Sequence, residues 1–490
     1  MQDCCTGYGR TIGAVSLRRR INAPFRTGCS RRSWPLRRKP TLTEIEAPLE
    51  RFGAWAATTH DFGAEARDGA VDAIIDTIDC MLAGANDPVV SGLRAAFADE
   101  IGASGPAPVV GGGLAAPGRA ALINGTSAHA LDFDDNFRPA RAHVSAVLVP
   151  ALLATAASRP VSGRALVDAY IVGLEAQAFV GRGVNNAHNL AGWHPTGTVA
   201  GIGAAAGVSR LMGLDAGTLA AAMANAVSAA AGVKAQFGTA MKPVHAGLAA
   251  RNAVEAAQLA AAGIHGNPAI LDHALGFRAL YGGGDGPGWD AATIGAPLAI
   301  LGDGLVPKLY PCCGSTHYAL DMVFALRQQH GFAADDVASV QVELGRANHA
   351  NLPYGAPQDA MQARFSMPYC IALALLQDHL GLEDFTPAAI ARPEVRALLP
   401  LTTMVINTAE GMPHRVTLTL RSGAVLHAER SEVRGSLIEP FSEAEKQRKF
   451  MSCLAWAGVT PTTASALHAT LRNIDAAGDM TALFAAIFDH

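Results

Sequence analysis

Four short segments of this chain concentrate residues able to move protons or hold anions. The first is Asp132-Phe133-Asp134-Asp135, followed by Arg138, Arg141 and His143. Three carboxylates within four residues are costly to bring together unless each finds a partner. A solvated acidic helix end would relieve the repulsion; a buried one would supply an acid/base or positioning carboxylate beside His143, which titrates near neutrality. The second segment, Gly192-Trp193-His194-Pro195-Thr196-Gly197-Thr198, sets His194 on a turn that opens a helix. Free N–H groups there can face an anion, although a lone His in such a turn is usually structural. The third, from Phe237 to Gly247, holds Lys242 and His245 between glycines, in a chain with only six Lys. A buried ammonium needs an anion beside it, and a substrate carboxylate can be that anion. The fourth runs from Lys308 through Tyr310, Cys312 and Cys313 to His317, where Lys308 and Tyr310 can reach back over the preceding part of the chain. Together the four make a set suited to a ligand with several carboxylates.

The elements that must position these residues are mostly helices. From about Ala47 to Leu301 apolar residues recur at three- and four-residue spacing. They predict helices over Ala66–Ala83, Ala120–Ala130, Val144–Ala157, Gly163–Gly181, Gly197–Met212 and Thr218–Ala230. Ala and Gly dominate their faces, which lets helix backbones approach closely. After Gly302 the texture changes. Val337–Leu344 and Thr402–Thr408 alternate as strands, and His414–Leu420 and Ala424–Val433 flank an Arg-Ser-Gly turn that suits a hairpin. Helical patterns cover Ser315–His330 and Gln358–Gln377, and the tail from Ser442 to Phe488 is helical again. The expected fold is therefore mainly α: a large all-helical domain over 41–303 and 439–490, with a smaller α+β domain over 304–438 inserted before the C-terminal helices.

Composition bounds the rest. Net charge is −4, but the first forty residues carry nine Arg and one Lys against Asp3, leaving 28 basic and 41 acidic residues in the body. So acidic a body does not offer the basic face that nucleic acid needs. The leader, 1–40, reads as a transit-type address, a disordered tail or a start assigned too far upstream. The longest strongly apolar run, Val144–Ala157, falls short of the roughly 20 residues of a membrane span. The eight Cys form no CxxC pair, which argues against structural zinc and fits a reducing, cytoplasmic setting.

Leu131-Asp132-Phe133-Asp134-Asp135 with His143, then Trp193-His194-Pro195, Met241-Lys242-Pro243-Val244-His245-Ala246-Gly247 and Lys308-Leu309-Tyr310-Pro311-Cys312-Cys313 resemble, in order and spacing, the successive motifs of the MmgE/PrpD family. The resemblance covers nearly everything beyond the leader. It implies a helical domain with a smaller lid domain, a homodimer, no cofactor or metal, and a site in the cleft between the domains. That family includes 2-methylcitrate dehydratase, cis-aconitate decarboxylase and iminodisuccinate epimerase. By the same resemblance Asp132, His143, His194, Lys242 and Lys308 line the active site as catalytic residues, and Asn136, His245, Tyr310, Cys313 and His317 join them as substrate-binding residues. Asn136 falls where the decarboxylases carry a small hydroxyl residue. Cys313 replaces a His of the animal type, whereas the fungal type keeps Cys-Cys. Phe137-Arg138-Pro139-Ala140-Arg141 is one residue longer than the animal form and brings in Arg.

The family's reactions share one arrangement: cations hold carboxylates while a proton moves at a neighbouring carbon. Lys242, Lys308 and His194 are the expected clamps and His143, held by Asp132, the expected proton carrier. A metal-independent lyase, dehydratase or decarboxylase, acting on a small di- or tricarboxylate is the first expectation. An epimerase of an iminodisuccinate-like dicarboxylate and a non-catalytic helical binding protein are the alternatives. A magnesium-binding reading of Asp134-Asp135 meets a cation at Arg138 where a third carboxylate should stand. A dinucleotide-binding reading of Gly201-Ile202-Gly203 fails because Gly207 is one residue too far on and no strand precedes it.

Overall fold

The computed structural model describes residues 47–102, 105–282, 287–289, 294–407 and 413–489. The basic leader, 1–40, lies outside the described residues, as does Thr408 at the end of one expected strand. The fold is mainly α.

The first part is a packed set of helices: α1 (Gly63–Gly84), α2 (Pro117–Ala130), α3 (Ser145–Ala156), α4 (Gly163–Leu190), α5 (Val199–Leu211), α6 (Ala216–Val227) and α7 (Met241–Ala261). The α4 helix runs nine residues beyond the expected Gly181, because a glycine in mid-helix costs only about 1 kcal/mol and tertiary packing overrides it. Here the missing Cβ has a use: one built on Gly181 would lie 2.4 Å from the carbonyl oxygen of Pro139. Helices α2 and α7 cross just as closely. A Cβ on Gly247 would meet Leu122 O at 2.1 Å and Thr126 Oγ1 at 2.3 Å. That crossing carries the start of α7 up to the end of α2.

A second core is built on a four-stranded sheet of β3 (Val337–Gly345), β4 (Thr402–Asn407), β5 (His414–Leu420) and β6 (Val425–Arg430), ordered β4-β3-β5-β6. Strands β3 and β4 are parallel, with Val340 opposite Thr402, while β3–β5 and β5–β6 are antiparallel. Val340, Val342, Leu344, Val416 and Leu418 are buried and share one hydrophobic cluster with residues of α8 (Gly314–His330) and α9 (Met367–Leu376). The expected single helix over Gln358–Gln377 is broken at Arg364–Ser366. Ser366 accepts a hydrogen bond from the Tyr369 N–H at 3.2 Å and Pro368 sits in the first turn, a helix-start signal that periodicity alone passes over.

Helices α10 (Glu443–Trp456) and α11 (Pro461–Arg472) return to the first core, where Phe450, Leu454, Leu467 and Leu471 are buried. A reciprocal cap between Ser442 and Glu445 starts α10. Two short strands, β1 (Asn136–Phe137) and β2 (Leu305–Val306), pair antiparallel and tie the acidic loop to the segment that leads into Lys308. No helix of the described residues is long and apolar enough to cross a membrane.

Candidate active site

Helix α2 ends on Leu131, and Asp132 follows with φ +53°. This is the left-handed position that usually takes Gly or Asn after a helix. Asp132 and Arg141, at φ +50°, are the only non-glycine residues with positive φ among the described residues. Both line one cavity of about 310 Å³.

The Asp132 carboxylate is buried and shared by two lysines. Lys242 Nζ hydrogen-bonds Oδ1; Lys308 Nζ lies 3.2 Å from Oδ2 and donates to the Asp132 carbonyl oxygen at 2.5 Å. Burial pushes this carboxyl up, but the Lys242 and Lys308 ammoniums outweigh it and hold Asp132 well below the usual carboxylate range. Lys242 stands in the first turn of α7, where the helix dipole opposes a cation. Burial lowers its pKa despite Asp132. For Lys308 the balance reverses: Asp132 and Asp134 outweigh burial and raise it.

Asp134 is held by a residue not singled out in the sequence. His129, on the last turn of α2, places Nδ1 2.9 Å from both Asp134 oxygens, and both side chains are fully buried. Burial drives the His129 pKa down to about 3 against the pull of Asp134, so the ring is neutral and its Nδ1–H donates. Its place five residues before Asp134, on the last turn of α2, is the signal in the sequence.

His143 is held differently from the expectation. Its Nδ1 lies 2.8 Å from the Asp135 carbonyl oxygen and 3.3 Å from Asp134 Oδ2, while Asp132 stands 3.8 Å from Nε2. A carbonyl only accepts, so Nδ1 carries the proton and the Nε2 lone pair of the neutral ring faces Asp132. Burial lowers the His143 pKa, partly countered by Asp134. Its backbone N–H donates to Thr196 Oγ1 at 3.0 Å. Asp135, the third carboxylate, hydrogen-bonds Ser145, which in turn meets the Tyr170 hydroxyl at 2.7 Å. Burial raises Asp135 to about 7.

Eight of the ten expected site residues line the cavity: Asp132, Asn136, His143, His194, Lys242, Lys308, Cys313 and His317. The other two stand behind its wall. His245 Nδ1 is 3.0 Å from His194 Nδ1, so it can orient that ring, and Tyr310 turns away to donate to Asp321 Oδ1 at 2.8 Å. A tyrosine on a loop entering a new core can face either side, and Asp321, 11 residues on along α8, provides the buried partner. Lys242 and Lys308, expected as clamps for a substrate carboxylate, both pair with Asp132.

Ligand atoms of His129, Asp132, Asp134 and His143 all lie within 4.8 Å of one another and could in principle surround a cation, as could those of Asp79, Cys80 and Cys453. In the first group two ammonium groups already occupy Asp132, and a metal ion there would have to displace them.

A helical bundle, a sheet-based second core and a cavity between them that gathers lysines, histidines and carboxylates define a class: the chain belongs to the MmgE/PrpD family. The family's N-terminal domain matches residues 50–290 and its C-terminal domain residues 310–472. Among its relatives are a cis-aconitate decarboxylase of Mus musculus, 29% identical over 352 residues (68% of this chain, 71% of the relative), and one of Homo sapiens, 28% identical over 387 residues (75% and 78%). A cis-aconitate decarboxylase of Aspergillus terreus is 27% identical over 368 residues (70% and 74%).

Proposed function

We propose that this chain is a lyase of small polycarboxylates, and that it removes carbon dioxide from cis-aconitate or a close analogue. The observation that carries this reading is the buried Asp132 bridging Lys242 and Lys308, with the free Nε2 of His143 3.8 Å away on the same cavity. The relatives named as cis-aconitate decarboxylases support the choice of substrate.

A substrate carboxylate entering the cavity meets two ammonium groups held in place by Asp132. In a site shielded from water such fixed cations stabilise charge that develops on the substrate. As the bond between carboxyl and carbon breaks, carbon dioxide leaves and the electron pair spreads into the neighbouring unsaturated carboxylate, where Lys242 and Lys308 offset it. A proton then closes the reaction at carbon. His143 is placed to take up that proton at Nε2 and pass it on, with Asp134 and the Asp135 carbonyl holding Nδ1. His194, backed by His245, lines the same wall. No metal ion takes part in this scheme.

Proton NMR of the purified protein mixed separately with cis-aconitate, 2-methylcitrate and an iminodisuccinate-type substrate in deuterated buffer tests the proposal. Loss of one carboxylate with deuterium at carbon is expected from cis-aconitate. A new vinyl signal from 2-methylcitrate alone would make it a dehydratase, and deuterium uptake by an iminodisuccinate-type substrate without a new skeleton an epimerase. No turnover of any of them would reject the lyase reading.

A further inference from the structure

Most cations around the cavity already face a carboxylate. Lys242 and Lys308 share Asp132, with Asp134 close by, and Arg138 reaches across to Glu432 of the second core, Nη1 to Oε1 at 3.1 Å. Arg141 is different. It lines the cavity at an exposed position, and among the described residues its guanidinium has no carboxylate partner. It is the one guanidinium or ammonium on that wall left without an anion, again among the described residues.

The backbone holds it there at a cost. Arg141 has φ +50°, a conformation an arginine adopts rarely. A turn closes from the Arg141 N–H to the Arg138 carbonyl at 3.2 Å, and Phe137 and Ala142 exchange backbone hydrogen bonds beneath it. The turn rests directly on the α4 backbone at Gly181. The loop is therefore pinned from below and at its base, and Arg141 is presented without having to order a mobile segment first.

Resting on the polycarboxylate reading above, we propose that Arg141 is a specificity residue: it binds the substrate carboxylate that lies away from the Lys242–Lys308 pair. Its planar fork accepts two carboxylate oxygens at once, and its position at the exposed edge of the cavity suits the part of the ligand that does not react. A substrate with one terminal carboxylate fewer leaves this fork empty and is discriminated against by that loss alone.

Calorimetric titration with tricarballylate and with its terminal monoamide, which has the same shape and one charge fewer, tests this. The wild-type protein should prefer tricarballylate by about tenfold or more, the range of a charge-assisted hydrogen bond. Arg141→Gln should bind the two within about twofold of each other, and Arg141→Lys should restore part of the preference, since a lysine keeps the charge and loses the fork. Arg141→Gly, which tolerates the positive φ, is the control for folding and should behave as Arg141→Gln does. Preference retained in both Arg141→Gln and Arg141→Gly, with unchanged melting curves, would overturn the assignment of Arg141. Failure of the wild-type protein to bind either compound would instead overturn the polycarboxylate reading, and this one with it.

Discussion

Lys308 meets Asp132 twice, through the carboxylate at 3.2 Å and through the residue's own carbonyl oxygen at 2.5 Å. One lysine thereby fixes both the charge and the left-handed backbone of Asp132, and Lys242 completes the set on the other carboxylate oxygen. The three side chains are buried together, so the consequences of breaking the group depend on which member is removed.

Asp132→Asn keeps a residue tolerated at positive φ but leaves two buried ammoniums without their anion. It should lose about 3–5 kcal/mol of stability, the usual penalty for an uncompensated buried charge. Lys242→Met leaves one lysine for one aspartate and should cost less. Denaturant unfolding of both variants checks the order, and equal losses would mean that Lys308 cannot hold Asp132 by itself. Either change should lower turnover by about 10²–10³-fold, as removal of a charge-stabilising group commonly does.

Rising pH should slow the protein through His143. Nε2 must carry a proton before it can deliver one to carbon, and burial sets the His143 pKa below the ordinary 6.5, so the loaded ring is lost as pH rises through a value below 6.5. A kcat/KM profile that declines from the acid side toward neutrality, with its midpoint below 6.5, is expected. A midpoint above 6.5 would contradict the buried, neutral ring.

Stability should fall on the alkaline side of neutrality. His129 and His188, lowered to about 3 and about 4 by burial, are uncharged in the fold while the unfolded chain takes up protons, so they favour folding increasingly from those values up to about 6.5 and add no further slope beyond. Asp79 and Asp135, raised by burial to about 8 and about 7, work in the opposite sense. The fold holds their protons after the unfolded chain has released them, so their contribution declines from about pH 4 upward. Below 6.5 the two sets offset one another; between 6.5 and 8 the two carboxyls act against Cys312, whose thiol is held down to about 5, against burial, by hydrogen bonds with Cys370 and His317. Melting temperature should drop over that interval, and Asp79→Asn should flatten the drop. An unchanged slope in Asp79→Asn would show that Asp79 is ionised in the fold.

Chelators should leave activity intact, because the ammonium groups of Lys242 and Lys308 occupy the carboxylate a metal ion would need. Activity lost to a chelator and restored by an added divalent ion would reverse this assignment.

Gly247→Ala should perturb the site from a distance. The added methyl would press on Leu122 O and Thr126 Oγ1, forcing α2 and α7 apart at a cost of about 1–3 kcal/mol and drawing Lys242 off Asp132. Reduced turnover together with a lower melting temperature is expected, and wild-type behaviour in both would mean the crossing can give way.

Much of this protein is written locally. Helical periodicity, alternation in the strands and the Arg-Ser-Gly hairpin turn depend on neighbours a few residues apart, and most of the elements they predict are present, with the C-terminal end of α4 and the break before α9 as exceptions. The four motifs were also legible, because lysines and histidines flanked by glycine in an apolar chain are conspicuous. What the residues could not disclose by themselves was which charge meets which. Lys242 and Lys308 lie 110 and 176 residues from Asp132, and only the close α2–α7 crossing and the β1–β2 pairing deliver both to one carboxylate. His143 was expected on Asp132, its nearest motif partner, but the turn after α2 aims its Nδ1 at the Asp135 carbonyl and gives Asp134 to His129. His245 and Tyr310 have the right chemistry for the cavity, yet packing places them behind its wall. Periodicity is a property of the chain, whereas the pairing of buried charges is a property of the space that distant segments enclose.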